Sequence, residues 1–329
     1  MQTPLYPLRF DPIPVREDWA GTLLPGYLET REPPDRPEGT GTVWLLVDGP
    51  DRSSRISNGA CRGMTIGELT SRSPKALVGR RHTADSPFPL CSRLFGSGAR
   101  QPLCVFRDAT HARPEAVAVN SRFWYLLESV DDARVIAGID PRVTQLQFRQ
   151  RLDTPALLDL LQCFPARPGD AYFIPSGRVH GLIGDNLVWE VAESAAEPIA
   201  VSGWSTDTAP SPLEQETALD CVRFRDRQLA RICGEASRRA YTHKVPILPF
   251  CPQFVVDEIR LTDLLVDRTT GGSFHLLGAL RGTVEVRGDG FAEALVQGEI
   301  CCIPATLGEY SLHAERGPAT VLRVAKPDS

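Results

Sequence analysis

The side chains best suited to metal binding or nucleophilic chemistry in this chain are six histidines and nine cysteines, and their spacing limits what they can do. His82, His243, His275 and His313 have no neighbour at metal-ligand spacing and read as packing or surface residues. His180 stands apart, because it closes the run Gly169-x5-Pro175-x-Gly177-x2-His180. There glycine and proline punctuate a short apolar segment and leave one imidazole just past the turn. The cysteines, from Cys61 to the adjacent Cys301 and Cys302, form no Cys-x-x-Cys pair, so they read as reduced, buried thiols rather than a zinc ribbon or disulfide framework. Period-two alternation puts Phe106 and Asp108 on one side of their strand, and Arg122 and Trp124 on one side of theirs. The run Arg80-Arg81-His82 reads as a solvated loop, with a phosphate contact as the alternative.

Those residues need a scaffold, and the composition describes one. The chain has 329 residues, of which 42% are hydrophobic and 23% charged, a core-forming balance that suggests two domains. Its 27 glycines and 28 prolines favour turns and short strands over long helices. A net charge of −5 leaves no basic footprint for nucleic acid. No apolar run is long enough to span a membrane and the start lacks a signal-peptide pattern, so the expected protein is soluble and cytoplasmic.

Residues 1–41 are proline-rich and read as an extended arm followed by a polar loop. Strands are expected at Thr42–Val47, Leu103–Arg107, Phe123–Leu127, Arg134–Ala137, Ala171–Ile174 and Leu187–Val191. Helices are expected at Thr65–Leu69 with Ser73–Val78, at Arg142–Leu152 with Thr154–Leu161, and at Leu213–Ile232. A repeat links Gly169-Asp-x4-Pro175 to Gly298-Glu-x4-Pro304, each followed by a second glycine, Gly177 or Gly308. Two similar β units in tandem would produce it.

The run ending at His180 matches the second signature of the cupin barrels, with Gly184 where an asparagine often follows. Along most of its length the chain resembles the short bacterial type I mannose-6-phosphate (phosphomannose) isomerases. Pro7–Pro12, Trp19–Thr22, Asn58-Gly59 with Met64–Leu69, Phe88–Leu90, Phe123–Tyr125, Leu187–Glu190, Ala218–Asp220 and Ile303–Glu309 carry the resemblance in order. It implies an all-β fold of two cupin-type jelly-roll barrels in tandem with a short helical insertion. The N-terminal domain would cover 1–240 and the C-terminal, structural one 241–329.

The resemblance also implies zinc, held by a Gln-x-His pair, a glutamate and the signature histidine, for aldose–ketose isomerisation. Here Phe106 and Asp108 stand at the Gln and His positions, Arg122 at the glutamate, and Asn120 at a family lysine. The segment Ser194–Trp204 lacks the family's catalytic arginine; His180 alone survives. If the resemblance holds, Phe106, Asp108, Arg122 and His180 converge where zinc would sit. The guanidinium of Arg122 cannot ligate a metal but can pair with Asp108.

The expected protein is therefore a divergent relative without zinc-dependent isomerase activity and with no assigned catalytic residue. Arg122, Asp108, His180 and Trp124 would bind a sugar or sugar phosphate. One alternative is an active isomerase whose zinc is held by His180, Asp108 and a recruited His111 or Glu115. A scaffold protein that binds nothing is a further alternative.

Overall fold

A computed structural model describes residues 4–28, 37–98, 101–107, 120–152, 154–203, 209–232, 243–248, 251 and 253–327. Strands dominate and form four antiparallel sheets. The first orders Ile13–Arg16, Thr40–Leu46, Cys91–Ser97, Asn186–Ala192, Arg122–Ser129, Ala171–Ile174 and Arg231–Ile232. The second orders Ile199–Ser202, Leu103–Val105, His180–Ile183, Arg134–Ile139 and Leu161–Pro165. A third sheet of five strands and a fourth of four draw on residues 243–325.

Alternation along the strands of the first sheet serves two cores. Phe95, Trp124, Leu126 and Val188 turn inward and pack with Val135, Ala137 and Leu182 of the second sheet. Their neighbours Leu94, Phe123, Tyr125, Leu187 and Trp189 face the other way, onto Val256, Leu276, Leu322 and Val324 of the third sheet. The same core takes Leu8 and Phe10 of the N-terminal arm and Ile66, Leu69 and Leu77 of the helical insertion. Its tightest contact is at Gly278, where a Cβ would lie 1.8 Å from the Trp189 ring. A third core fills the space between the last two sheets, around Ile259, Val286, Leu312 and Tyr310. Cys301 joins that core while Cys302 faces the shared one, as strand alternation requires.

The sequence repeat is a structural one. Gly169 and Gly298 adopt φ of 93° and 83°, a left-handed conformation that a side chain would strain. Gly169 N–H donates to Leu126 O and Leu126 N–H to Asp170 O; Gly298 N–H donates to Ala279 O and Ala279 N–H to Glu299 O. Each turn feeds a four-residue buried strand, Ala171–Ile174 or Ile300–Ile303, that ends at a proline.

Three expectations need correction. The proline-rich start carries a strand, Ile13–Arg16, and a five-residue helix, Leu23–Tyr27, that buries Leu24 and Tyr27. The helical segment expected over Thr154–Leu161 is a 3-10 helix, Pro155–Leu160, and the Thr154 side chain before it makes no cap bond. The helix expected over 213–232 stops at Cys221: Pro212–Cys221 is opened by a Ser211–Glu214 capping box. Beyond it, Arg223 N–H donates to Gly177 O, Phe224 packs on Phe148, and Asp226 pairs with Arg178. Those tertiary bonds replace helical ones, and Arg231–Ile232 ends as an edge strand on Ala171–Tyr172. Among the described residues no helix is long and apolar enough to cross a membrane.

Candidate functional site

The pocket opens between the first two sheets, and strand register builds its floor. Glu190 sits opposite Arg93 on one neighbouring strand and opposite Trp124 on the other. Alternation aims all three side chains inward together with Arg122, two residues before Trp124. Glu190, 1% exposed, accepts from Arg93 Nε, Arg122 Nη1 and Trp124 Nε1, each at 2.7 Å. Burial opposes the charge on its carboxyl, but the two guanidinium groups prevail and hold it down to about 2. Arg122 is fully buried, and its Nη2 donates to the carbonyl of Ala196. Among the described residues its Nε has no hydrogen-bond partner, and the guanidinium carbon lies 3.6 Å from the centre of the Phe106 ring.

His180 enters through the pairing of its strand with Cys104. Its ring stacks on Phe106 at 4.7 Å and meets Trp124 edge-on at 5.4 Å. The Nδ1–H donates to Arg178 O at 2.9 Å, which leaves Nε2 as the acceptor of the neutral ring. Burial, with Arg122 and Arg93 nearby, pushes its proton affinity down from 6.5 to about 4. A neutral imidazole in an aromatic wall is therefore the resting form at neutral pH.

The cavity above this floor holds about 240 Å³. Trp19, Phe95, Phe106 and Trp124 supply aromatic walls, and Glu17, Gln101, His180 and Glu197 supply polar groups. Glu17 accepts from the Thr42 hydroxyl; burial, with Glu197 close by, raises its carboxyl above the ordinary range despite the opposing pull of Arg93.

Phe106, Arg122, Trp124 and His180 thus meet as the alternation and the resemblance suggested. Asp108, His111 and Glu115 lie outside the described residues, so the expected Arg122–Asp108 pair and the recruited ligands do too. The partner that the described residues give Arg122 is Glu190. Asn120 holds the start of the Arg122 strand with φ 119°; its N–H and that of Ser121 donate to the Glu193 carboxylate. The sequence reading missed Arg93, Glu190, Glu17 and Glu197. An ionic residue at the inward-facing position of the apolar strand Leu187–Val191 was the available signal for Glu190.

A zinc ion fits this donor set poorly. Among the described residues no three of His, Cys, Asp and Glu come together to hold a metal. Among the described residues that line the cavity His180 is the sole imidazole, and the guanidinium of Arg122, laid on the Phe106 ring, is already bound to the buried carboxylate of Glu190.

Fold and site together define a mostly-β protein of paired antiparallel sheets with an aromatic, charged pocket between two of them. No protein-family model matches the chain. It is 27% identical over 196 residues to the mannose-6-phosphate isomerase ManA of Bacillus subtilis, covering 57% of this chain and 58% of that protein. It is 24% identical over 159 residues to the mannose-6-phosphate isomerase of Streptococcus mutans, covering 48% and 49%. The aligned stretches span 49% to 65% of the length of the curated relatives it matches. The crystal structure of the mannose 6-phosphate isomerase from Bacillus subtilis superposes with a TM-score of 0.79 at 20% identity, over 97% of this chain and 99% of that one. In sequence over part of its length and in fold over nearly all of it, this chain is similar to the phosphomannose isomerases.

Proposed function

We propose that this protein is a divergent phosphomannose isomerase homologue that has lost zinc-dependent aldose–ketose isomerisation and keeps the pocket as a sugar-binding site. We read the four sheets as two jelly rolls in tandem, 1–240 carrying the site and 241–329 supporting it, in a cytoplasmic protein. The observation that carries the reading is the buried Arg122 guanidinium, bound to Glu190 and laid on the Phe106 ring beside the signature histidine. An ion pair stands there in place of a metal-centred charge balance, because a fixed guanidinium repels a divalent cation and offers it no lone pair.

The chemistry of the cavity favours a sugar's hydroxyl face over its phosphate. Arg93 is engaged by Glu190, while Glu17 and Glu197 line the cavity and would repel a phosphate dianion. Carboxylates, an amide and a neutral imidazole are good partners for hydroxyl groups, and the aromatic faces can stack on a pyranose ring. A volume of about 240 Å³ lies just under the roughly 300–1,000 Å³ typical of drug-sized ligands, which suits a monosaccharide.

Two assays on the full chain test this. Mannose 6-phosphate turnover to fructose 6-phosphate, followed with added zinc, should stay at background. Tryptophan fluorescence should respond saturably to a neutral hexose such as mannose, and the response should weaken in Glu197→Gln. Zinc-dependent turnover abolished by a chelator would establish the active isomerase with recruited ligands instead. No turnover and no response to any hexose would leave the scaffold reading.

A further inference from the structure

The pocket between the first two sheets holds more carboxylates than guanidinium groups. Arg93 and Arg122 meet Glu190 in its floor, and Glu17 and Glu197 line the cavity above. Glu190 answers both arginines, and neither Glu17 nor Glu197 forms an ion pair among the described residues. Two cations against three anions leave one negative charge in excess. Arg52, a further cation near Glu17, lies over the Trp44 ring at 5.8 Å and is not among the residues lining the cavity.

Both carboxylates are held in place by the fold. Glu17 follows the strand Ile13–Arg16; its N–H donates to Gly39 O at 3.1 Å and its carboxylate accepts from the Thr42 hydroxyl at 3.1 Å. Gly41 leaves room for it, because a Cβ there would lie 2.6 Å from Glu17 Cβ. Burial above all, and then the nearby Glu197, raise the Glu17 carboxyl against the pull of the Thr42 hydroxyl, Arg93 and Arg52. Glu197 is exposed, but its backbone is pinned: Arg122 Nη2 donates to the carbonyl of Ala196, and Pro198 leads into the strand Ile199–Ser202. A third acceptor is buried. His180, 3% exposed, gives its Nδ1–H to Arg178 O, and its Nε2 has no hydrogen-bond partner among the described residues that line the cavity with it.

Building on the sugar-binding reading of this pocket, we propose that it selects an amino sugar, a hexose carrying a primary ammonium, over the neutral hexose. An ammonium brings one positive charge and three N–H donors, and the groups that await a partner, Glu17, Glu197 and His180 Nε2, are acceptors. Hydrogen bonds between an ammonium and a carboxylate are the stronger kind. Two nearby carboxylates repel each other in a half-buried cavity, and a cation beside them turns that cost into attraction. Trp19 and Trp124 line the same space and supply the rings that attract a cation best. A phosphate group meets the same carboxylates as repulsion.

Mannosamine and mannose are the probes, titrated into the full chain by calorimetry and tryptophan fluorescence at about pH 6.5, below the range in which an α-amino group loses its proton. Mannosamine should bind about tenfold or more tightly than mannose, the size of one charge-assisted hydrogen bond. The ratio of the two affinities should fall towards one in Glu17→Gln and in Glu197→Gln. Glu197 is exposed, so its variant should melt like wild type. If Glu17→Gln melts early, Glu197→Gln alone serves, and an unchanged ratio there would overturn the proposal. Equal binding of the two sugars by wild type would overturn it and leave the sugar site standing, whereas no response to either would overturn both. Methylammonium binding as tightly as mannosamine would also overturn it, because the sugar ring would then contribute nothing.

Discussion

Replacing Glu190 by glutamine changes one charge and almost no volume, so it isolates the ion-pair core of the site. In the wild type that carboxylate, 1% exposed, accepts three hydrogen bonds, two from guanidinium groups. Glutamine can still accept, but Arg122 would then lose its ion-pair partner, and Arg93 would keep only the more distant attraction of Glu197 and Glu17. Removing one partner of a buried pair typically costs about 3–5 kcal/mol, since the remaining charge is left uncompensated in a low dielectric. At about 2 °C per kcal/mol for a large domain, Glu190→Gln should lower the melting temperature by roughly 6–10 °C. Arg122→Met should cost less, because Glu190 keeps Arg93 and the Trp124 indole. Arg142→Ala, which breaks an exposed pair with Asp140, should leave the midpoint unchanged. Thermal melts of the three variants at pH 7 provide the measurement. A Glu190→Gln midpoint as close to wild type as that of Arg142→Ala would refute the electrostatic reasoning.

Two further outcomes follow from the same geometry. His180 is buried and neutral, its affinity for a proton lowered from 6.5 to about 4, so the unfolded chain binds a proton in this range and the folded chain does not. Its contribution is present above pH 6.5 and lost as pH falls towards about 4, a shift worth on the order of 3 kcal/mol. Urea midpoints at pH 7 and pH 5 should therefore differ less in His180→Phe than in wild type; an unchanged difference would exclude a buried neutral ring. Gly278→Ala should destabilise by about 1–3 kcal/mol through overpacking against Trp189, read as a lowered urea midpoint. A midpoint equal to wild type would show that the two sheets do not close on each other there.

Much of the scaffold is legible in the amino-acid order because strand alternation and turn glycines are local signals. The strand Ala171–Ile174 has the expected bounds, and Gly169 and Gly298 occupy equivalent turns. The helical expectation over 213–232 fails after Cys221 for a non-local reason: Gly177 O and Arg178, more than 40 residues earlier, capture the backbone and Asp226. The site divides in the same way. Phe106, Arg122, Trp124 and His180 could be grouped from alternation and family resemblance. Glu190 could not be assigned to Arg122, because its partners lie 68 and 97 positions away and depend on strand order. Glu17 and Glu197 reach the cavity from the arm and from an edge loop, whose positions no periodicity encodes.

The central claim is that an arginine–glutamate pair stands where the family's resemblance would place zinc. Metal content of the purified full chain, after zinc loading and desalting, addresses it directly. The account predicts far less than one zinc per chain, and no change in melting temperature on adding a chelator. About one tightly held zinc per chain, released by the chelator with loss of stability, would contradict it.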